Sequence, residues 1–159
     1  MQLFLMRHGE ASYQADSDRE RILTDLGAEQ AKVMAVWLSK TITQFDLVLV
    51  SPYVRAQQTW KNIVDSNITA KKVCTLTELT PSSEPSQSST AIEAYAEHYK
   101  ADTVLVVAHM PLLGYLVNEF IPSEEPPLFA TAGITILNLL AEGRVIESQN
   151  SPETVSIER

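Results

Sequence analysis

The chain has 159 residues, 45% of them hydrophobic, and a formal net charge of −8. That length allows one domain with a sizeable core, and the composition excludes a disordered or fibrous protein. The acidic balance argues against a nucleic-acid or anionic-membrane surface, so a bound anion would have to be held by a few local cations. Cys74 is the sole cysteine, which excludes an internal disulfide and a cysteine metal cluster. The first residues lack a basic segment, their apolar run is too short for a signal peptide, and no stretch approaches membrane-spanning length. The expectation is a cytoplasmic protein with residues 1–159 forming a single domain.

Leu3 to Met6 is a short apolar run that stops at Arg7-His8-Gly9-Glu10. It reads as a buried strand with polar residues just past its C-terminal end. Ligands bind at that edge in open α/β sheets. Gly9 lets backbone and ligand approach closely. Arg7 offers a fork of donors suited to phosphate or carboxylate, and His8 can serve as base or nucleophile. The same residues also fit an ordinary strand end facing water. Glu10 to Arg21 reads as a loop over this edge. Its Asp18, Arg19 and Arg21 are either substrate contacts or solvated loop charges.

Thr24-Asp25 opens a helix, with Thr24 as cap and Ala31, Met34, Ala35 and Leu38 as the buried stripe. Leu47 to Val50 is a second strand. Ser51 followed by Pro52 then predicts a cap and first helical residue. Ala56, Trp60, Ile63 and Val64 would be that helix's buried face. Arg55 falls near the helix start, where the macrodipole disfavours a cation. Free amides plus an arginine form an anion receptor, and a local rule broken there suggests a site.

Lys71 to Thr75 reads as a third strand, and Ser82 to Thr90 as a Ser/Pro-rich loop. Thr90-Ala91-Ile92-Glu93 predicts a capping box, with Ile92, Tyr95, Ala96 and Tyr99 facing the core and His98 at the surface. Thr103 to Ala108 is the most apolar β-branched run and predicts a central strand. It ends at His109-Met110-Pro111, with Pro111 expected as the first residue of a helix packed through Leu112, Leu113, Leu116 and Phe120. Pro122 to Pro127 reads as a loop. Thr131 to Leu140 and Arg144 to Gln149 read as a closing hairpin. The last ten residues carry no signal.

Strands alternating with helices imply an α/β fold with a mostly parallel sheet, whose strand C-termini share one edge. Arg7, His8, Arg55 and His109 follow three different strand ends and can converge there on a tetrahedral dianion.

Leu5-Met6-Arg7-His8-Gly9-Glu10 resembles the signature of the histidine phosphatase, or phosphoglycerate mutase-like, superfamily. Leu23-Thr24, Gly27 and Gln30-Ala31 match its first helix. Ser51-Pro52-Tyr53-Val54-Arg55-Ala56 with Thr59 matches its second motif, and His109 its third. Glu78-Leu79-Thr80-Pro81, His109 to Val117 and the small size look most like the bacterial phosphohistidine phosphatases of that superfamily. The resemblance implies a three-layer sandwich with a C-terminal hairpin and no large lid insertion. It implies His8 as nucleophile, passing through a phosphohistidine intermediate that water hydrolyses. Arg7 and Arg55 would hold the phosphoryl oxygens as charge spreads over them, and a protonated His109 would add a third cationic donor. Gly9, the Met110 amide, Arg21 and Asp18 are candidates for phosphate or substrate binding. No cofactor or metal is needed, because arginines supply the charge that Mg²⁺ supplies elsewhere.

Glu78 lies at about the place where larger members carry a general acid for an alcohol leaving group. An imidazole leaves more easily, so a short open site fits a phosphohistidine on a protein, such as a histidine-phosphotransfer domain in a signalling relay. A broader phosphomonoesterase using Glu78, a mutase and a phosphate-binding module without turnover are the alternatives. A metal site through His8 and His109 lacks a third ligand at convincing spacing.

Overall fold

The computed structural model describes residues 1–157. The chain runs through β1 (Gln2–Arg7), α1 (Asp25–Leu38), β2 (Gln44–Phe45), β3 (Leu47–Val50), α2 (Val54–Asp65), β4 (Thr69–Ala70) and β5 (Val73–Thr75). After a 3-10 turn at Thr77–Leu79 come α3 (Pro85–His98), β6 (Thr103–Ala108), α4 (Leu112–Phe120), β7 (Ile134–Leu140), β8 (Gly143–Asn150) and α5 (Pro152–Ile157). A six-stranded sheet has the order β5-β3-β6-β1-β7-β8. Its first four strands are parallel, and the β7–β8 hairpin joins antiparallel along β1.

Both faces of the sheet are covered, which is why β1, β3 and β6 are apolar at nearly every position. On one face Leu3, Leu5, Leu49, Val104 and Val106 pack beneath Ile92 and Ala96 of α3 and Leu112, Leu113, Leu116, Val117 and Phe120 of α4. On the other, Phe4, Met6, Val48, Val50, Leu105 and Val107 meet Met34, Ala35 and Leu38 of α1, Ala56, Trp60 and Ile63 of α2, and Val155 of α5. The result is the expected three-layer α/β sandwich. No large insertion interrupts the short connection from β5 to α3. Among the described residues no helix is long and apolar enough to cross a membrane.

Several boundaries differ from expectation for identifiable reasons. Ser51 is not a helix cap. Its hydroxyl accepts from the Tyr53 amide and bonds to His109, so α2 begins later, with Tyr53 at the cap position. Val64 is exposed; Arg55 and Thr59 take buried places on α2 instead. The expected strand at 71–75 is split. Only its end, β5, is strand, and an unexpected β4 just before it pairs with β2 in a small separate sheet. Helix α3 starts at Pro85, not at Thr90, whose hydroxyl donates back to the Ser86 carbonyl inside the helix. Tyr95 on α3 and Tyr99 at its C-cap stay exposed. Pro111 precedes the first residue of α4. The tail called signal-free contains α5, anchored by Val155.

The β1–α1 junction is held by close backbone approach. A Cβ on Gly9 would meet the Gly27 carbonyl, and one on Gly27 would meet the Glu10 backbone. Gly9 is therefore small because a helix passes it. The Thr24 hydroxyl accepts from the Gly27 amide and donates to the Glu10 carboxylate, completing the junction. Alanine at a helical glycine normally stabilises by about 1 kcal/mol. At Gly27 the sign should reverse: Gly27→Ala is expected to cost about 1–3 kcal/mol through overpacking, read as a lowered denaturation midpoint.

Candidate active site

The register of the parallel strands builds this site. Arg7 of β1 is level with Ala108 of β6, and Val50 of β3 with Val107 of β6. The next residues of the three strands therefore emerge side by side: His8, whose amide donates to the Ala108 carbonyl, Ser51, whose amide donates to the Val107 carbonyl, and His109. The His8 and His109 rings lie 5.2 Å apart between centroids, and Tyr53 stands edge-on to His109 at 5.1 Å.

His8 is buried, and its Nδ1 lies 2.7 Å from the Gly9 carbonyl oxygen. A carbonyl only accepts, so Nδ1 carries the proton. The lone pair of the neutral ring then sits on Nε2, where Arg55 Nε donates to it at 3.2 Å. Burial first, then the charges of Arg55, Arg7 and Arg21, lower the His8 pKa to about 4, against the opposing bond to Gly9. His109 Nε2 lies 2.7 Å from Ser51 Oγ, while its Nδ1 is buried without a partner. Burial, followed by His8 and Arg55, lowers His109 to about 2. Both rings are neutral at pH 7 in this arrangement. The protonated His109 expected from the sequence would require an added negative charge beside it.

Arg55 is buried on the first turn of α2 and is fully engaged. Besides His8, it donates to the Asp18 carbonyl at 2.6 Å and to Asp18 Oδ2 at 3.2 Å. Arg21 binds the other carboxylate oxygen at 3.1 Å and the Ser12 carbonyl at 2.9 Å. Arg7 donates from Nη1 to the Phe129 carbonyl at 2.8 Å, and its Nε is buried without a partner. Met110 follows His109 at the mouth of α4, whose first hydrogen bond runs from the Leu113 amide to the His109 carbonyl.

The structure thus gathers Arg7, His8, Arg55, His109, Gly9, Arg21 and Asp18 at one sheet edge. Glu78 is not bonded to any of them. It lies on the 3-10 turn, beside a surface pocket lined by Ser86, Gln87, Thr90, Ala91 and Ala94 of α3. Ser51 and Thr59 are site residues whose bonds the sequence did not reveal. Thr59 Oγ1 accepts from the Gly9 amide at 3.1 Å and donates to the Arg55 carbonyl at 2.8 Å, tying the His8 loop to α2. In the sequence both fall in the stretch that resembles the family's second motif, Ser51 directly after a strand and Thr59 one helical turn beyond Arg55, but nothing there assigned them these bonds. Among the described residues no group of three or more His, Cys, Asp or Glu side chains is arranged to hold a metal ion.

Comparison with known proteins agrees with this geometry. The profile of the histidine phosphatase superfamily (branch 1) matches residues 3–81. The chain is 40% identical over 143 residues to the phosphohistidine phosphatase SixA of Escherichia coli K12, covering 90% of this chain and 88% of that one. It is 35% identical over 166 residues to a SixA homolog of Haemophilus influenzae, covering 96% and 97%. A solved structure of the protein histidine phosphatase SixA complexed with tungstate superposes with a TM-score of 0.90 at 37% identity, covering 98% of this chain and 99% of that one. By fold, motif and sequence identity, the chain belongs to the histidine phosphatase superfamily.

Proposed function

We propose that this protein is a phosphohistidine phosphatase that removes the phosphoryl group from a phosphorylated histidine on another protein, such as a histidine-phosphotransfer domain. The observation that carries the reading is the His8 ring: neutral, locked by Gly9, with its Nε2 lone pair facing Arg55 inside a cluster of cations. The 40% identity to SixA supports the same substrate class.

In the first step the Nε2 lone pair attacks phosphorus. The bond from phosphorus to the substrate imidazole breaks, and that imidazole, already protonated on its other ring nitrogen in the phosphorylated form, leaves neutral with that proton. In the second step water attacks the phosphoryl on His8, releasing phosphate and restoring the neutral ring. Arg7 and Arg55 neutralise the equatorial oxygens, whose charge grows as the bonds change. A phosphoryl dianion beside His109 would raise that ring's proton affinity and let its unpartnered Nδ1 serve as a donor. The Met110 amide is a further donor at the mouth of α4.

Two observations favour a protein substrate over a small phosphomonoester. Glu78, the candidate acid for an alcohol leaving group, lies against α3 and is bonded to none of the site side chains. The site is also flanked by apolar side chains open to a partner. Tyr13 is 88% exposed and packs on Arg21, while Leu128 is 90% exposed next to Phe129, the acceptor for Arg7. We place the reaction in the cytoplasm, with residues 1–159 acting as one domain.

His8→Ala is expected to abolish hydrolysis of a phosphohistidine protein, and rapid quench of the unaltered enzyme should trap acid-labile phosphate on His8; an unchanged rate in the variant would refute the assignment. The pH profile follows from the depressed His8 pKa. Attack needs the unprotonated ring, so the acid limb of kcat/KM should lie nearer pH 4 than pH 6.5, after subtraction of uncatalysed loss. Replacing Tyr13 and Leu128 by serine should raise KM for a phosphohistidine protein by about tenfold while leaving turnover of free phosphohistidine within about twofold.

A further inference from the structure

We propose that Asp18 is a positioning residue: its carboxylate bridges Arg21 and Arg55 and thereby fixes the Arg55 guanidinium against the nucleophilic nitrogen of His8. This rests on the assignment of His8 as nucleophile. It gives Asp18 a different role from direct phosphate binding, which suits a carboxylate poorly, since that group only accepts hydrogen bonds and repels a phosphoryl dianion.

The loop from Ala11 to Leu23 is pinched at its base by a bridge between those two residues and by the Ser12 amide donating to the Ile22 carbonyl. Between them, residues 13–20 are all exposed and bury no apolar side chain. The tip is held over the site by polar bonds alone. The Val54 amide donates to the Arg19 carbonyl. Asp18 gives Oδ1 to Arg21 at 3.1 Å, and Oδ2 and its carbonyl to Arg55 at 3.2 and 2.6 Å. One carboxylate thus separates two guanidiniums that would otherwise repel. Hydrogen bonds from Arg21 and Arg55 outweigh the upward pull of burial and keep the Asp18 carboxyl below its usual range. With both terminal nitrogens of Arg55 taken by Asp18, the Nε–H is left aimed at His8 Nε2. An arginine side chain has many rotamers, so this aim requires an anchor at the far end of the fork.

The sign of a titration separates positioning from charge. The groups facing His8 are Arg7 from β1, Arg55 from α2, His109 beyond β6, and Arg21 with Asp18 from the loop. Removing the Asp18 charge alone leaves more net positive charge and would lower the His8 titration. Releasing Arg55 from His8 would raise it. Ring-carbon NMR on the full chain with Asp18→Ala is expected to show the His8 titration rising by about one pH unit, and Asp18→Asn a smaller rise. With a phosphohistidine protein, Asp18→Ala should lower kcat about tenfold with KM within about twofold. A titration that falls or stays, or an unchanged kcat, overturns the proposal. Should the alanine variant not fold, the sign of the shift in Asp18→Asn decides alone. If the unaltered protein does not turn over phosphohistidine, the proposed activity fails, while the titration still reads the Asp18–Arg55 link.

Discussion

The site depends first on one hydrogen bond, from His8 Nδ1 to the carbonyl of its own neighbour, Gly9. That bond chooses the tautomer, and the tautomer decides which nitrogen can attack. The Gly9 carbonyl points correctly because the backbone around it is clamped from two sides. Thr59 accepts from the Gly9 amide, and Gly27 presses where a Cβ would be. A bond between adjacent residues is therefore specified by two helices far apart in sequence.

Electrostatics and burial work in the same direction on the two imidazoles of this cluster. The chain carries a net charge of −8, yet three of its arginines, Arg7, Arg21 and Arg55, gather around His8 where three strands end. Placing two imidazoles among guanidiniums and away from water keeps both neutral, each with a single ring proton. Neutral imidazoles are what a nucleophile and an anion-responsive donor require, and the guanidiniums keep their charge because arginine does not deprotonate in proteins. Arg7 Nε and His109 Nδ1, buried and unpartnered, are the unsatisfied capacity of this arrangement. Such orphans are costly in an ordinary core, and their concentration at one edge fits a place that receives a ligand.

Much of this was legible in the sequence because β1, β3 and β6 are apolar runs that stop abruptly at polar residues. The period of the apolar runs gave the layers, and the stopping points gave Arg7, His8, Arg55 and His109. What was hidden arose where a distant partner overrode a local rule. Ser51-Pro52 reads as a helix start until His109 claims the serine hydroxyl. Thr90 reads as a cap until Pro85 starts the helix earlier and the threonine bonds back to Ser86. β2 and β4 are two residues each, too short for any periodicity. α5 has a single buried side chain, Val155, among its residues of described burial, so no stripe announces it. The link from Asp18 to Arg55 crosses between a loop and a helix, and composition alone could not distinguish it from a solvated charge.

The brief passage from β5 to α3, a single 3-10 turn and a few residues, bears on kinetics as well as on substrate size. In enzymes with a hinged cover, departure of product often sets the turnover number, because the cover must swing aside each cycle. On the proposed reading, the β5–α3 connection supplies no such door for inorganic phosphate to wait for. The proposed cycle would then be paced by bond making and breaking at His8 and by the dissociation of the protein partner proposed to dock on the surrounding rim.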